Sequence, residues 1–287
     1  MSEKRGRQAS LQLGHVEDGP VSPASLSTPR NSVDWSVLHN DSHVSLEWLR
    51  DLSCASPSAS TESSADSSHL TSSQPLTWNS EAFPANLKPR VPILWAQGDP
   101  DLLKAPGVGL CGSRNASDRG LVRARDLAAL AASLGLTVVT GLARGVDSEA
   151  TTAALEAGGQ VIGVLPEGIS AWHPGRWAAF IANGRMLVLS EFRPRAHWQV
   201  GQAMQRNATI CALGKAMFVI EAGQTGGTLN AGQTALRMGT PLYAIRYAER
   251  SVGNELLISA GAVPIETKAQ LRKALEAVAD SPTPWPR

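Results

Sequence analysis

The segment TVVTGLARGVD at residues 137–147 contains a run of four Thr and Val residues followed directly by a turn with two glycines. A helical pattern of small and apolar residues continues from 148 to 157. A β-branched run bounded by turn residues predicts a buried strand, and a glycine turn leading into a helix is typical of a parallel β-α unit. The segment therefore predicts one strand–loop–helix unit of an α/β protein.

The same alternation of strand and helix patterns extends in both directions from this unit. It predicts a doubly wound, mostly parallel, Rossmann-like sheet. The other predicted strands lie at 92–95, 108–111, 161–165, 186–190, 217–221, 242–245 and 263–265. The other predicted helices lie at 119–134, 174–183, 201–213, 229–238, 255–260 and 268–279.

The N-terminal third differs in composition from the rest of the chain. Residues 1–85 are rich in Ser, Thr and Pro and carry 5 Lys+Arg against 10 Asp+Glu, whereas the remainder carries 21 against 15. A segment with so little apolar surface cannot offset the entropy of ordering it. We expect a largely disordered acidic tail at 1–85, a mildly basic Rossmann-like domain at 86–280 and a Pro-rich end at 281–287.

The cysteines and the hydrophobic pattern argue against several classes of protein. Cys54, Cys111 and Cys211 are scattered, without a CxxC pair or a His cluster, so neither a metal site nor a disulfide framework is predicted. No signal peptide is visible, and no run approaches the roughly 18 apolar residues that a membrane span needs. We expect a cytoplasmic protein without a membrane partner, a metal or another cofactor.

The loops that follow the predicted strands contain the candidate ligand-binding residues. In an open parallel sheet, ligands bind beyond the carboxyl ends of the strands. Glycines, free N–H groups at helix starts and guanidinium groups together form anion sites, although each loop alone would also fit an ordinary capped turn. The predicted phosphate-binding residues are Gly112, Ser113, Arg114, Gly141, Arg144, Gly145, Arg176, Arg206, Asn207, Gly226, Gly227 and Thr228.

Two tryptophans, Trp172 and Trp177, flank Arg176 in the loop after the strand predicted at 161–165. Aromatic faces beside a cation suit base stacking next to a phosphate contact. Burial of both tryptophans in the core is an equally good interpretation of this pattern.

The catalytic motifs of common enzymes are missing. The sequence Gly-Val-Gly-Leu-Cys-Gly at 107–112 fits a dinucleotide-binding pattern, but it runs through a predicted strand instead of following one. The loop at 223–228 lacks the Gly-Lys-Ser/Thr of a Walker loop, and there is no G-x-S-x-G or HExxH motif. We therefore expect a binding protein and not an enzyme.

The ten residues VVTGLARGVD at 138–147 are the longest of several stretches that match one known family. The match runs from about 83 to 265, and over this range the chain resembles the DprA/Smf family of DNA-processing proteins. The other matching stretches lie at 92–99, 112–114, 154–159, 190–191, 206–207, 221–222 and 253–262.

This resemblance implies a homodimeric protein that binds single-stranded DNA and loads the RecA recombinase on it during natural transformation. It implies that Arg114 contacts a DNA phosphate with Gly141, Gly145 and Arg206 nearby, and Arg176 is our candidate for a second basic contact. The chain departs from the family at Ala208, where another Arg is usual, and at the shortened loop 226–229. His173 also replaces a Tyr, and no winged-helix region or N-terminal helical domain is expected.

Two alternatives to DNA binding use the same cleft. One is a sensor that binds a nucleotide or another small phosphorylated ligand. The other is a nucleotide-cleaving enzyme of the lysine-decarboxylase-like group, but the P-G-G-x-G-T-x-x-E pattern of that group is not met at 224–230.

Overall fold

The computed structural model describes residues 73–88, 90–249 and 251–281, all within the compact unit Ser64–Arg287. These residues form one nine-stranded sheet with the order β1-β2-β6-β5-β4-β3-β7-β8-β9. All pairs among β3 to β9 are parallel, whereas β2 runs antiparallel to β6 and β1 antiparallel to β2. The strands are β1 Gln74–Thr77, β2 Ile93–Gln97, β3 Gly107–Cys111, β4 Thr137–Thr140, β5 Val161–Leu165, β6 Met186–Ser190, β7 Met217–Val219, β8 Leu242–Ile245 and β9 Val263–Ile265.

Helices cover both faces of this sheet. Residues of α1, α2, α3 and α7 join one apolar cluster with the sheet, and residues of α4, α5 and α6 join the cluster on the opposite face. The central strands β3 to β7 are buried along their whole length, as expected for a sheet covered on both sides. The helices are α1 Asp118–Ser133, α2 Val146–Glu156, α3 Ala178–Ala182, α4 Val200–Leu213, α5 Gly227–Arg237, α6 Val252–Ser259 and α7 Lys268–Asp280.

The doubly wound fold predicted from the sequence is confirmed. β4, β5 and β6 step away from β3 on one side, and β7, β8 and β9 step away on the other, so the strand order reverses between β3 and β7. Two elements differ from the prediction. The helix predicted at 174–183 consists of a 3₁₀ turn, Gly175–Trp177, followed by the short α3, and the strand predicted at 217–221 ends at Val219.

The beginning of the folded part also differs from the boundary that we expected at residue 85. Gln74–Thr77 pairs with Ile93–Gln97, and Leu76 and Phe83 are buried in the same apolar cluster as α4. Only one residue of β1 is buried, so its composition resembles that of the acidic tail. The rest of that tail, residues 1–72 with Cys54, lies outside the described residues, as do residues 282–287 of the C-terminal end.

The glycines of the 107–112 pattern have a packing role. A side chain at Gly109 would lie 2.5 Å from Met217 Sδ and 3.3 Å from Ile210 Cγ2, and one at Gly107 would lie 3.0 Å from the carbonyl oxygen of Leu213. These glycines therefore let α4 approach β3 closely. The pattern runs along the strand, as the sequence indicated, and does not form a dinucleotide loop.

Candidate nucleic-acid interface

A cleft of about 340 Å³ opens beyond the carboxyl ends of β3, β4 and β5. Each strand contributes the loop that follows it, and two further residues come from the segment after β6 and from α4. The cleft is lined by Arg114, Gly141, Leu142, Ala143, Arg144, Leu165, Pro166, Glu167, Trp172, Trp198 and Arg206. The structure thus brings four of the twelve predicted binding residues, Arg114, Gly141, Arg144 and Arg206, into one concave site.

Arg206 forms the inner wall of the cleft. It lies on α4, and its side chain is buried against Gly141, where any Cβ would collide with the guanidinium group. Burial lowers the pKa of Arg206, and the nearby Asp147 carboxylate opposes this shift. Its Nε atom is buried without a hydrogen-bond partner. A Cβ at position 141 would therefore displace this guanidinium group from its place at the inner wall of the cleft.

Asp147 supplies the counter-charge behind Arg206. It lies in the first turn of α2, and its Oδ2 accepts a hydrogen bond of 3.1 Å from the Gly141 N–H. Burial raises its pKa from 3.8 to about 6, although Arg206 and nearby backbone N–H groups oppose that shift. The other oxygen, Oδ1, is buried without a partner. Asp147 therefore fixes the loop after β4 and places a negative charge near Arg206.

Two exposed arginines stand at the mouth of the cleft. The Arg114 guanidinium lies 5.5 Å from the ring centroid of Trp198, a geometry suited to cation–π attraction. Arg144 Nη2 donates to the side-chain oxygen of Asn115, so the loops after β3 and β4 are tied together. Both guanidinium groups keep unused donors, because each has five N–H groups in a planar fork.

The opposite wall combines an acid with aromatic rings. Glu167 follows β5, and burial raises its pKa while Arg206 and Arg114 oppose the shift. Trp172 stacks on Trp177 with 6.4 Å between ring centroids, and both are partly buried against the core. Trp172 packs on the core, as one of the two interpretations expected, and it also lines the cleft. The cleft is cationic at its mouth and mixed in charge inside.

The start of α1 does not provide the anion cradle that the sequence suggested. Ser117 caps the helix by accepting from the Gly120 N–H, and its own N–H and Oγ donate to the carboxylate of Glu221 at 3.1 Å and 2.6 Å. Ser113 Oγ accepts from the Asn115 N–H. The protein's own carboxylate therefore fills the position beside β3 and β7 where a bound phosphate was expected.

The remaining predicted residues do not line the cleft. Gly112 packs against Val146, and Gly145 caps α2 with a φ of 83°. Asn207 is buried and donates to the Gly227 carbonyl oxygen at 3.2 Å, which ties α4 to the start of α5. The N-cap residue of α5 is Gly226, so no side chain caps this helix, and Thr228 lies in its first turn. Arg176 is exposed with its guanidinium 5.1 Å from the Trp177 ring centroid.

Sequence reasoning missed Trp198 and the chemical role of Glu167. Trp198 is 45% exposed, which is high for a tryptophan, and it precedes α4 at the same sheet edge as Arg114. Its place in the segment between the strand predicted at 186–190 and the helix predicted at 201–213 was the available signal, but its contact with Arg114 depends on the tertiary fold. Glu167 is the second residue after the strand predicted at 161–165 and could have been named on position alone.

The described ranges contain no cluster of three or more His, Cys, Asp or Glu side chains that could hold a metal. Cys111 and Cys211 are buried free thiols whose pKa values are raised by burial. No helix in the described part of the chain has the length and apolar character to cross a membrane.

Comparison with known protein families shows to which family the chain belongs. The family model described as DNA recombination-mediator protein A matches residues 74–276. The chain belongs to this family. It is 34% identical over 158 residues to DNA processing protein DprA of Streptococcus pneumoniae, with 53% of this chain and 55% of that protein covered. It is 32% identical over 200 residues to protein Smf of Escherichia coli, with 66% of this chain and 53% of that protein covered.

Solved structures of the family share the fold. The crystal structure of DprA from Streptococcus pneumoniae has a TM-score of 0.63 at 28% identity and covers 72% of this chain and 76% of its own. The DprA structure from Helicobacter pylori, which describes a single-stranded DNA binding mode, has a TM-score of 0.61 at 26% identity and covers 71% and 95%. The chain spans about half the length of the curated relatives it matches.

Proposed function

We propose that this chain binds single-stranded DNA in the cleft beyond β3, β4 and β5. The observation that carries the proposal is the convergence of three guanidinium groups, Arg114, Arg144 and Arg206, on a cleft lined by two tryptophans. Cations that hold the backbone and aromatic faces that stack on bases are the two ingredients of single-strand binding. The single-stranded DNA binding described for the Helicobacter pylori relative supports the same conclusion.

The two exposed arginines are the phosphate contacts in this proposal. Arg114 and Arg144 stand at the mouth of the cleft, where a charged phosphate keeps part of its hydration. Arg206 is buried and partly neutralised by Asp147, so it contributes a positive field from behind instead of a direct contact. Gly112, Ser113, Gly145 and Asn207 act indirectly, since they shape and fix the loops that hold these arginines.

Two further features, one on each side of the cleft, extend the proposed path of the single-stranded DNA. Arg176 lies over Trp177, which stacks on the cleft residue Trp172. On the other side, the exposed loop at 226–228 begins α5 next to Asn207, and backbone N–H groups at a helix start favour phosphate. We assign both as flanking phosphate contacts.

The cellular role proposed here is DNA processing in natural transformation, in the cytoplasm. Family membership supports this role. Homodimer formation and the loading of RecA on the bound strand belong to the same proposal and rest on the resemblance to the family. These proposals rest only on the region of the relatives that matches this chain, and not on the segments that it does not span.

A nucleotide sensor is the second candidate function. A cleft of about 340 Å³ lies at the small end of the range for small-molecule sites, so a single nucleotide fits its size. Single-stranded DNA binding and nucleotide sensing differ in how affinity depends on the length of the ligand. Only an oligonucleotide bound in the cleft is long enough to reach Arg176 and the 226–228 loop as well.

Length-dependent binding therefore tests the proposed function. Fluorescence anisotropy with labelled oligo-dT should show affinity rising with length up to about 15 nucleotides, in the range of single-strand sites of other proteins. Thymidine monophosphate, used as a competitor, should be far weaker than the oligonucleotide. Equal affinity for the mononucleotide and the oligonucleotide would assign the cleft to a nucleotide sensor.

A further inference from the structure

The loops that follow β5 and β6 are joined to each other beside the cleft. The Gly168 N–H donates to the Ala196 carbonyl oxygen, and the Ser170 N–H donates to the Pro194 carbonyl oxygen, both at 2.8 Å. A Cβ at Gly168 would collide with the carbonyl oxygens of Arg193 and Pro194, so this glycine lets the two loops touch. The backbone of the second loop is therefore held in a fixed position against the first.

Residues 193–196 form a tight turn at this contact. The Ala196 N–H donates to the Arg193 carbonyl oxygen at 2.8 Å, which closes the turn around Pro194 and Arg195. Proline at the first central position fixes φ and so restricts the turn to few conformations. Arg195, at the second central position, is exposed. The turn therefore presents an arginine side chain to solvent from a backbone that has little freedom.

The turn lies next to the wall of the cleft. Trp172, two residues after Ser170, lines the cleft, and so does Trp198. Trp198 is three residues after Arg195, so their Cα atoms are at most about 11 Å apart. The ring of Trp198 in turn lies 5.5 Å from the Arg114 guanidinium. Arg195 does not line the cleft, but it is close to the residues that do.

The joined loops carry positive charge without an exposed acid to balance it. Residues 168–199 contain four arginines and a single acidic residue, Glu191. Glu191 faces α4, where its two carboxylate oxygens accept from Thr209 Oγ1 at 3.0 Å and from Gln205 Nε2 at 3.2 Å. Among the described residues, no carboxylate forms an ion pair with Arg195. Its guanidinium group therefore keeps its N–H donors for a ligand.

Exposed arginines on α1 and α7 differ from Arg195, because they have carboxylate partners. Arg119 lies 2.9 Å from Glu249, and Arg272 lies 3.6 Å from Glu276. An arginine without such a partner offers its whole charge to a polyanion, and its planar fork matches two oxygens of a phosphate group. The ligand that suits the turn is therefore a phosphodiester backbone.

We propose that the turn at 193–196 continues the DNA-binding surface outside the cleft, with Arg195 binding a phosphate of a strand that also contacts Arg114. This inference rests on the proposed function, because the cleft supplies the first contacts of that strand. It adds a phosphate contact on the loop after β6 to the one that we assign to Arg176 on the loop after β5. A strand of a few nucleotides fills the cleft without reaching the turn.

Fluorescence anisotropy with labelled oligo-dT of about 5 and about 15 nucleotides tests this contact. Arg195→Ala should bind the longer strand about tenfold more weakly, as expected for the loss of one charged contact, with a salt slope shallower by about 0.7. It should bind the shorter strand as the wild type does, which also shows that it is folded. Arg195→Lys keeps the charge and should keep the salt slope. Arg272→Ala, which removes the same charge from α7, should match the wild type for both strands.

The outcomes separate this contact from the function of the cleft. If the wild type binds the longer strand and Arg195→Ala behaves like Arg272→Ala, the turn is not a contact, and the proposed function stands. If the wild type binds neither strand, the proposed function fails and the turn contact fails with it. An equal loss for the two lengths would place Arg195 among the contacts of the cleft and contradict a path outside it.

Discussion

At the scale of single residues, Arg206 and Asp147 are both buried, and Arg206 forms the inner wall of the cleft. Each carries one polar atom that is buried without a partner, Nε of Arg206 and Oδ1 of Asp147. Such atoms weaken the fold, and both lie beside the cleft in which we propose that single-stranded DNA binds. Leu142, at the same edge, has a φ of 52°, which is unusual for a leucine.

The raised pKa of Asp147 predicts a specific dependence of stability on pH. Since its pKa rises from 3.8 to about 6, the folded chain keeps a proton between these values that the unfolded chain has released. The contribution of Asp147 to stability therefore falls as the pH rises from 4 to 7, by about 3 kcal/mol. Asp147→Asn stays neutral and lacks this dependence.

Urea denaturation of both proteins at several pH values measures this effect. The difference in free energy of unfolding, wild type minus Asp147→Asn, should decrease from pH 4 to pH 7. The raised pKa values of Glu167 and Glu191 act in the same direction in both proteins, so they cancel in the difference. If the free energies of unfolding of the two proteins changed in parallel with pH, the pKa of Asp147 would not be raised in the folded protein.

At the scale of elements, the start of α2 joins two of the cleft loops. Gly145 has a φ of 83°, and a Cβ there would collide with the Ser113 carbonyl oxygen and lie 2.8 Å from that of Arg114. The next N–H, that of Val146, donates to Ser113 at 3.2 Å. The backbone that carries Arg114 is therefore positioned by a glycine thirty-one residues later in the chain.

A matched pair of glycines isolates this contact. Gly145 and Gly158 have φ values of 83° and 85°, but a Cβ at Gly158 would meet nothing within 4 Å. Gly158→Ala should cost about 1 kcal/mol from backbone strain alone, and Gly145→Ala at least about 2 kcal/mol because the collision is added. Denaturant unfolding measures both, and equal losses would mean that the contact with the 113–114 backbone is unimportant.

The sequence predicted most elements because their signals are local. Apolar runs such as 161–165 and 186–190 match β5 and β6 residue for residue, since strands covered on both faces need no polar positions. β1 escaped prediction because only Leu76 is buried in it. The contact of Glu221 with Ser117 also escaped, because it joins residues 104 positions apart and depends on the pairing of β3 with β7.

At the scale of the whole molecule, the winding of the sheet determines which loops meet. Because β3, β4 and β5 are adjacent and parallel, the loops after them meet at one edge, and α4 adds Arg206 from the face it covers. The sequence predicted this convergence for Arg114, Gly141, Arg144 and Arg206. It did not separate them from Ser113 or Arg176, because distance from the cleft is a property of the assembled fold.

The salt dependence of oligo-dT binding, compared between the wild type and Arg114→Ala, tests the account most directly. Log affinity of the wild type should fall linearly with log salt, and Arg114→Ala should bind more weakly by about 1–3 kcal/mol with a slope shallower by about 0.7. Arg272→Ala, which removes the same charge from the exposed surface of α7, should match the wild type. If Arg114→Ala and Arg272→Ala behave alike, the cleft is not where the strand binds.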